Sequence, residues 1–130
     1  MEVAQCMSPT LVTVGPDHTL REAAQHMIER NVGAAVVLDV DGEGPGIVTE
    51  RDILRSVAEG QDPDTETVRA HLTEDATVAG PHMTIERAAE TMLAGAFRHL
   101  IVVDDAGQPL GMLSMRDVVR ALLGAVSALR

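Results

Sequence analysis

The chain has 130 residues, 45% hydrophobic and 23% charged, which suits one compact globular body or two small ones sharing a core and excludes a disordered or fibrous chain. Ten basic residues against twenty acidic ones give a formal charge of −10 and a pI near 4.7, so a nucleic-acid backbone and an anionic membrane surface are both poor partners. All ten basic residues are Arg, and one Phe is the whole aromatic inventory; this excludes lysine Schiff-base chemistry, a GxxxxGK[ST] phosphate loop and base-stacking platforms.

The lone Cys6 has no partner for an internal disulfide, which fits a reducing compartment. No apolar run approaches the roughly 20 residues that span a bilayer, and no export pattern opens the chain. A cytoplasmic protein is expected.

In chain order, residues 3–7 form a short lead-in turn, and residues 11–14 a brief β-prone stretch stopped by Gly15-Pro16. Leu20, Ala23, Ala24, Met27 and Ile28 then follow the spacing of a helix with one buried face, and Thr19 with Glu22 forms a capping box at its start. The apolar run 32–38 is short enough to be a strand, and Gly46-Ile47-Val48 is a second one behind a glycine-bearing turn. A second helix begins at Thr49, with Ile53, Leu54 and Val57 as its expected buried face. Residues 59–67 have loop chemistry, and 68–72 repeat the lead-in turn.

Sliding the chain by 65 residues brings this pattern back without a gap. Pro16, Thr19, Ala23, Ala24 and Met27 fall on Pro81, Thr84, Ala88, Ala89 and Met92; Asp39, Gly42 and Gly46 fall on Asp104, Gly107 and Gly111; Arg51, Asp52 and Arg55 fall on Arg116, Asp117 and Arg120. The second copy predicts strands at 77–79, 97–103 and 111–113. Its first helix carries Ile85, Ala88, Ala89, Met92 and Leu93, with Thr84 capping alone, and its second, from Ser114, carries Val118, Val119, Leu122 and Leu123. The expected fold is α+β, a β-α-β-β-α unit repeated twice with pseudo-two-fold symmetry. Its domains are 1–65, including the lead-in turn and inter-repeat loop, and 66–130. Neither half buries much surface alone, so packing of the two sheets is the expected source of stability.

Chemistry is concentrated where a strand enters a helix, at Gly46-Ile47-Val48-Thr49-Glu50-Arg51-Asp52 and Gly111-Met112-Leu113-Ser114-Met115-Arg116-Asp117. Two readings are open there. In one the hydroxyl and the acid three residues later are only a capping box. In the other the helix start favours a phosphate while the carboxylate accepts from two ribose hydroxyls.

The doubled segment, the strand phrases Val32-Gly33-Ala34-Ala35-Val36-Val37-Leu38-Asp39 and Phe97-Arg98-His99-Leu100-Ile101-Val102-Val103-Asp104, and the lead-in Met7-Ser8-Pro9 resemble a pair of cystathionine-β-synthase (CBS) domains, a Bateman module of the small stand-alone bacterial type. The resemblance covers nearly the whole chain. It implies a non-catalytic regulatory sensor binding AMP, ADP, ATP or S-adenosylmethionine in two clefts between the repeats, with no cofactor required. In one cleft the resemblance assigns Asp117 to the ribose and Ser114 to the phosphate or ribose edge, Met112, Val32 and Gly33 to the adenine, and Ser8 and Thr13 to the wall. In the other it assigns Asp52 and Thr49 to ribose and phosphate, Ile47 to the base, and Thr73, Val78 and Phe97 to the lining. Arg98, His99 and Arg51 face the phosphates there, whereas the first cleft has only its helix start and Arg116, so a phosphorylated ligand is expected to prefer the cleft with Asp52. The second lead-in reads Leu72-Thr73-Glu74 where many members have Met-[ST]-Pro; Glu74 and Glu50 both oppose a phosphate.

Other features have plainer readings. Gly42-Glu43-Gly44-Pro45-Gly46 lies between two strands and reads as a turn, not a dinucleotide loop. Asp39-Val40-Asp41-Gly42 lacks the later ligands of a calcium loop, and the five His show no metal-ligand spacing. Met27, Met92, Met112 and Met115 read as core filling. The second helix of each copy is apolar on more than one side, most of all from Val118 to Val126, which predicts a homodimer. The competing function is a structural dimerisation module with vestigial clefts, docking an unidentified client protein. No nucleophile stands beside a base in sequence, so an enzyme is not expected.

Overall fold

The computed structural model describes the backbone of residues 1–128 except Asp39, Asp41 and Glu43, and side chains as far as residue 124. The strand-end role of Asp39, the Asp39-to-Gly42 and Gly42-to-Gly46 turns as wholes, and Val126 as an interface residue therefore lie outside the described residues. Two compact units are present, one formed by Val12–Ala76 and the other by Met1–Leu11 together with Thr77–Arg130. This spatial division differs from the repeat boundary expected at 65/66. The reason lies in the lead-in segments, each of which completes the unit built from the other repeat.

In the unit Val12–Ala76, β1 (Thr13–Val14) runs parallel to β2 (Ala34–Val37), which pairs antiparallel with β3 (Gly46–Thr49). The central β2 is buried along its whole length, which is why its sequence is a continuous apolar run and not an alternating one. Helix α1 (Leu20–Glu29) starts at the expected capping box: Thr19 Oγ1 accepts from the Glu22 amide at 3.1 Å and the Glu22 carboxylate accepts from the Thr19 amide at 3.1 Å. Leu20, Ala23 and Met27 pack with Val37, Val48 and Val68. Val68 opens a 3-10 turn (Val68–Ala70) and is fully buried. The segment before it caps α1, since the carbonyls of Glu66 and Pro63 accept from Leu20 N at 2.9 Å and Arg21 N at 3.0 Å, two amides with no partner inside the helix. Helix α2 (Glu50–Ala58) follows β3 directly.

The other unit repeats the plan with β4 (Val78–Ala79), α3 (Ile85–Gly95), β5 (His99–Val103), β6 (Pro109–Ser114) and α4 (Met115–Ala128), β5 lying between parallel β4 and antiparallel β6. Thr84 caps α3 alone, accepting from Arg87 N at 3.2 Å, as its missing acidic partner requires. The lead-in turn Val3–Gln5 does here what the 68–70 turn does in the first unit. Val3 is fully buried, its amide donates to Met83 O at 2.8 Å, and Met1 O accepts from Ile85 N, the first amide of α3, at 3.0 Å.

The helices bury a narrower face than their spacing predicts. Leu20, Ala23, Met27, Ile85, Ala88 and Met92 are inside, but Ile28 and Leu93 are 81% and 72% exposed. In the second helices Ile53 is half-buried, whereas Leu54, Val57, Val119, Leu122 and Leu123, expected inside, are exposed. These side chains form a second apolar stripe that the residues of its own unit leave uncovered. Among the described residues, no helix is long and apolar enough to cross a membrane.

Candidate functional site

The twin strand-to-helix junctions share one geometry. At the end of β3, the Asp52 Oδ2 atom accepts from Thr49 N at 2.8 Å and Thr49 Oγ1 at 3.0 Å, while Thr49 Oγ1 accepts from Asp52 N at 3.3 Å. At the end of β6, Asp117 Oδ2 accepts from Ser114 N at 2.8 Å and Ser114 Oγ at 2.9 Å, and Ser114 Oγ accepts from Asp117 N at 3.1 Å. Both junctions are thus reciprocal capping boxes. The cap uses one oxygen of each acid and leaves Oδ1 for other partners. Oδ1 faces an exposed arginine three residues on, Arg55 at 3.8 Å from Asp52 and Arg120 at 3.5 Å from Asp117. These contacts are long and their arginines exposed, so they hold Oδ1 weakly. The two carboxylates themselves are only 15% and 14% exposed, which rules out side chains trailing in bulk solvent. A partly desolvated carboxylate fixed by its cap, with its second oxygen held only by a long, exposed ion pair, is a strong acceptor for sugar hydroxyls. The arginines were not singled out from the sequence, although their identity in the repeat, three residues beyond each Asp, was the available signal.

Beside each junction the structure joins a lead-in residue to the preceding strand. Ser8 N donates to Met112 O at 2.9 Å and Met112 N to Ser8 O at 3.0 Å. Thr73 and Ile47, 65 residues away in each case, do the same at 2.9 and 3.0 Å. The pairs assigned together by the family pattern, Ser8 with Met112 and Thr73 with Ile47, are therefore direct neighbours. The close approach leaves no room for a side chain at Gly111, the residue before Met112, and little at Gly46, the residue before Ile47. A Cβ on Gly111 would come within 2.5 Å of Ser8 O, and one on Gly46 within 3.3 Å of Thr73 O.

In the unit Val12–Ala76, Thr13 is exposed on β1, where it pairs with Val36, and Val32 and Gly33 lie half-buried just before β2. Arg51 is exposed in the first turn of α2. In the other unit Val78 is 38% exposed on β4, Phe97 packs at the rim of the core with its ring against Gly95, and His99 opens β5 opposite Ser114. Arg98 and Arg116 are exposed. None of these residues lines the open groove of about 430 Å³ in the first unit, which runs between α1 and α2 past Ala24, Ile28, Ile53 and Val57.

The CBS domain family model matches residues 3–59 and 68–124, one domain in each repeat. An uncharacterized 17.7 kDa protein of Acidianus ambivalens is 36% identical over 122 residues, covering 94% of this chain and 73% of that protein. Other curated relatives are longer, the chain spanning 62% and 42% of two of them. Among solved structures, a CBS domain protein of Pyrobaculum aerophilum complexed with AMP superposes with a TM-score of 0.83 at 29% identity, covering 98% of this chain and 99% of that one. The CBS domain pair of protein MJ0100, in complex with 5′-methylthioadenosine and S-adenosyl-L-methionine, shares the fold with a TM-score of 0.85 at 23% identity, covering 96% and 98%. Repeat, fold and family model agree: the chain is a tandem pair of CBS domains and belongs to that family.

Proposed function

We propose that this CBS pair is a non-catalytic regulatory module that binds adenosyl ligands, with Asp52 and Asp117 as ribose acceptors. The observation that carries the reading is the doubled carboxylate, partly buried, fixed by its own capping box and left with one oxygen to accept from vicinal hydroxyls. Thr49 and Ser114 serve the ribose or phosphate edge, and Ile47, Met112, Val32, Gly33, Thr73, Ser8, Val78, Phe97 and Thr13 make the apolar and wall contacts. Arg98, His99, Arg51 and Arg116 answer the phosphates. The ligand complexes of the P. aerophilum and MJ0100 proteins support the ligand class.

A thermal-shift panel of AMP, ADP, ATP, S-adenosylmethionine and 5′-methylthioadenosine tests the reading. A ligand present at 100 times its Kd adds about 2.7 kcal/mol, so at least one compound raises Tm by several degrees. A flat response to all five contradicts the reading and favours a structural module.

The exposed stripes carry a second proposal, a homodimer. Ile28, Leu54 and Val57 on one unit and Leu93, Val119 and Leu122 on the other are equivalent apolar positions, each between 48% and 81% exposed, which a second copy of the chain matches in composition. Sedimentation at micromolar concentration should give twice the 13.8 kDa chain mass, and Leu93→Glu combined with Leu122→Glu should shift it to the monomer. A wild-type chain that sediments at 13.8 kDa refutes the dimer.

A further inference from the structure

The same backbone joint occurs once in each repeat and carries opposite charges. In the first unit Glu50 N donates to Gly33 O at 2.9 Å, tying the first residue of α2 to the start of β2; in the other, Met115 N donates to Arg98 O at 2.9 Å. Gly33 and Arg98 are 65 residues apart, as are Glu50 and Met115, so the joints are equivalent. At the first, the absence of a side chain on Gly33 admits the Glu50 carboxylate, whose Oε1, Cδ and Oε2 atoms would lie 3.0, 3.1 and 3.3 Å from a Cβ built there. The end of the Glu50 side chain therefore packs close to where a side chain at position 33 would begin. At the second joint the glycine is replaced by Arg98 and the acid by uncharged Met115.

We propose that these two joints sort adenosyl ligands by the charge at the 5′ position, Glu50 beside Gly33 favouring a cationic or uncharged substituent and Arg98 a phosphate. The proposal rests on the adenosyl-binding reading and adds to it a residue that sets specificity. Taken together, positions 33 and 50 carry one negative charge in the first repeat, where the equivalent positions 98 and 115 carry one positive charge in the second, next to the ribose-accepting junctions. A carboxylate there repels a phosphate and attracts a sulfonium or an ammonium group through space, and salt screens both effects. It also gives Glu50, which the sequence set against a phosphate beside Asp52, a place against Gly33.

The test is equilibrium binding of three ligands that share adenosine and differ in 5′ charge: S-adenosylmethionine (net cationic), 5′-methylthioadenosine (uncharged) and AMP (dianionic). The full chain is compared with Glu50→Gln and Arg98→Gln, each checked for an unchanged Tm. Glu50→Gln should weaken S-adenosylmethionine relative to 5′-methylthioadenosine by roughly three- to fivefold at low salt, with a smaller effect at high salt, and strengthen AMP. Arg98→Gln should weaken AMP by about tenfold while leaving 5′-methylthioadenosine unchanged. An unaltered ratio of S-adenosylmethionine to 5′-methylthioadenosine affinity in Glu50→Gln overturns the assignment of Glu50 while adenosyl binding stands. A wild-type chain that binds 5′-methylthioadenosine and AMP but not S-adenosylmethionine overturns it as well. A folded wild-type chain that binds none of the three overturns the adenosyl reading itself, and the sorting with it.

Discussion

Asp52→Ala and Asp117→Ala should each weaken adenosyl binding at their own site by about 10- to 100-fold, the loss expected when a charged acceptor of buried or half-buried hydrogen bonds is removed. AMP and ATP should lose more with Asp52→Ala, because Arg98 and His99 belong to the residue set assigned with Asp52. Each substitution also removes a capping box, at a cost of about 1 kcal/mol in stability. The two effects separate experimentally. Asn at either position keeps an acceptor for the Thr49 or Ser114 amide and so restores most of the Tm, yet it lacks the charge that strengthens the ribose bonds. Calorimetric titration beside thermal unfolding should therefore show Asp→Asn variants near wild-type Tm with clearly reduced affinity. If affinity merely follows Tm through the Ala and Asn variants, capping is the whole role of these acids.

Gly111→Val should destabilise the fold by about 1–3 kcal/mol, the usual cost of forcing extra volume into a closed contact. The obstacle at Gly111 is backbone: Ser8 O lies 2.5 Å, and Ser8 C 3.4 Å, from where a Cβ would stand. That carbonyl accepts from Met112 N in the paired bonds that fasten the lead-in to β6, so it cannot retreat without breaking them. Upstream of it are buried Val3 and the Met1 carbonyl that caps α3, and their docking should loosen together. Gly46 offers a graded comparison, since its nearest neighbours are the flexible end of Leu72 at 3.1 Å and Thr73 O at 3.3 Å. Alanine at 111 should thus lower Tm by more than alanine at 46, with faster amide exchange at Val3. Equal Tm losses would show that the lead-in contact does not support its unit.

Much of this was legible in the sequence, because a gapless 65-residue repeat doubles every signal. The α1 and α3 helices with Leu20, Ala23, Met27, Ile85, Ala88 and Met92 inside, the capping boxes at Thr19 and Thr49, the lone cap at Thr84 and the short strands all follow from local patterns, whereas Ile28 and Leu93, expected on the same buried faces, stand exposed. Two things were hidden. One is the exchange of lead-ins: residue 3 docking beside residue 83 depends on a contact between distant segments, of which hydrophobic period carries no trace. The other is how much of each apolar face a sheet covers. Leu54, Val57, Leu122 and Leu123 have core composition but stand exposed, since periodicity reports which side of a helix is apolar and not what lies against it. At the site, the Asp52 and Asp117 junctions could be read directly, whereas the place of the Glu50 side chain could not, because it depends on the vacancy at Gly33 left by a missing Cβ.

The most direct measurement is a crystal structure of the chain soaked with AMP or S-adenosylmethionine. The ribose hydroxyls should sit within hydrogen-bonding distance of Oδ1 of Asp52 or Asp117, with the adjoining arginine, Arg55 or Arg120, displaced from that oxygen. A ligand bound elsewhere on the chain, with both carboxylates still engaged only in their capping boxes, would contradict the account.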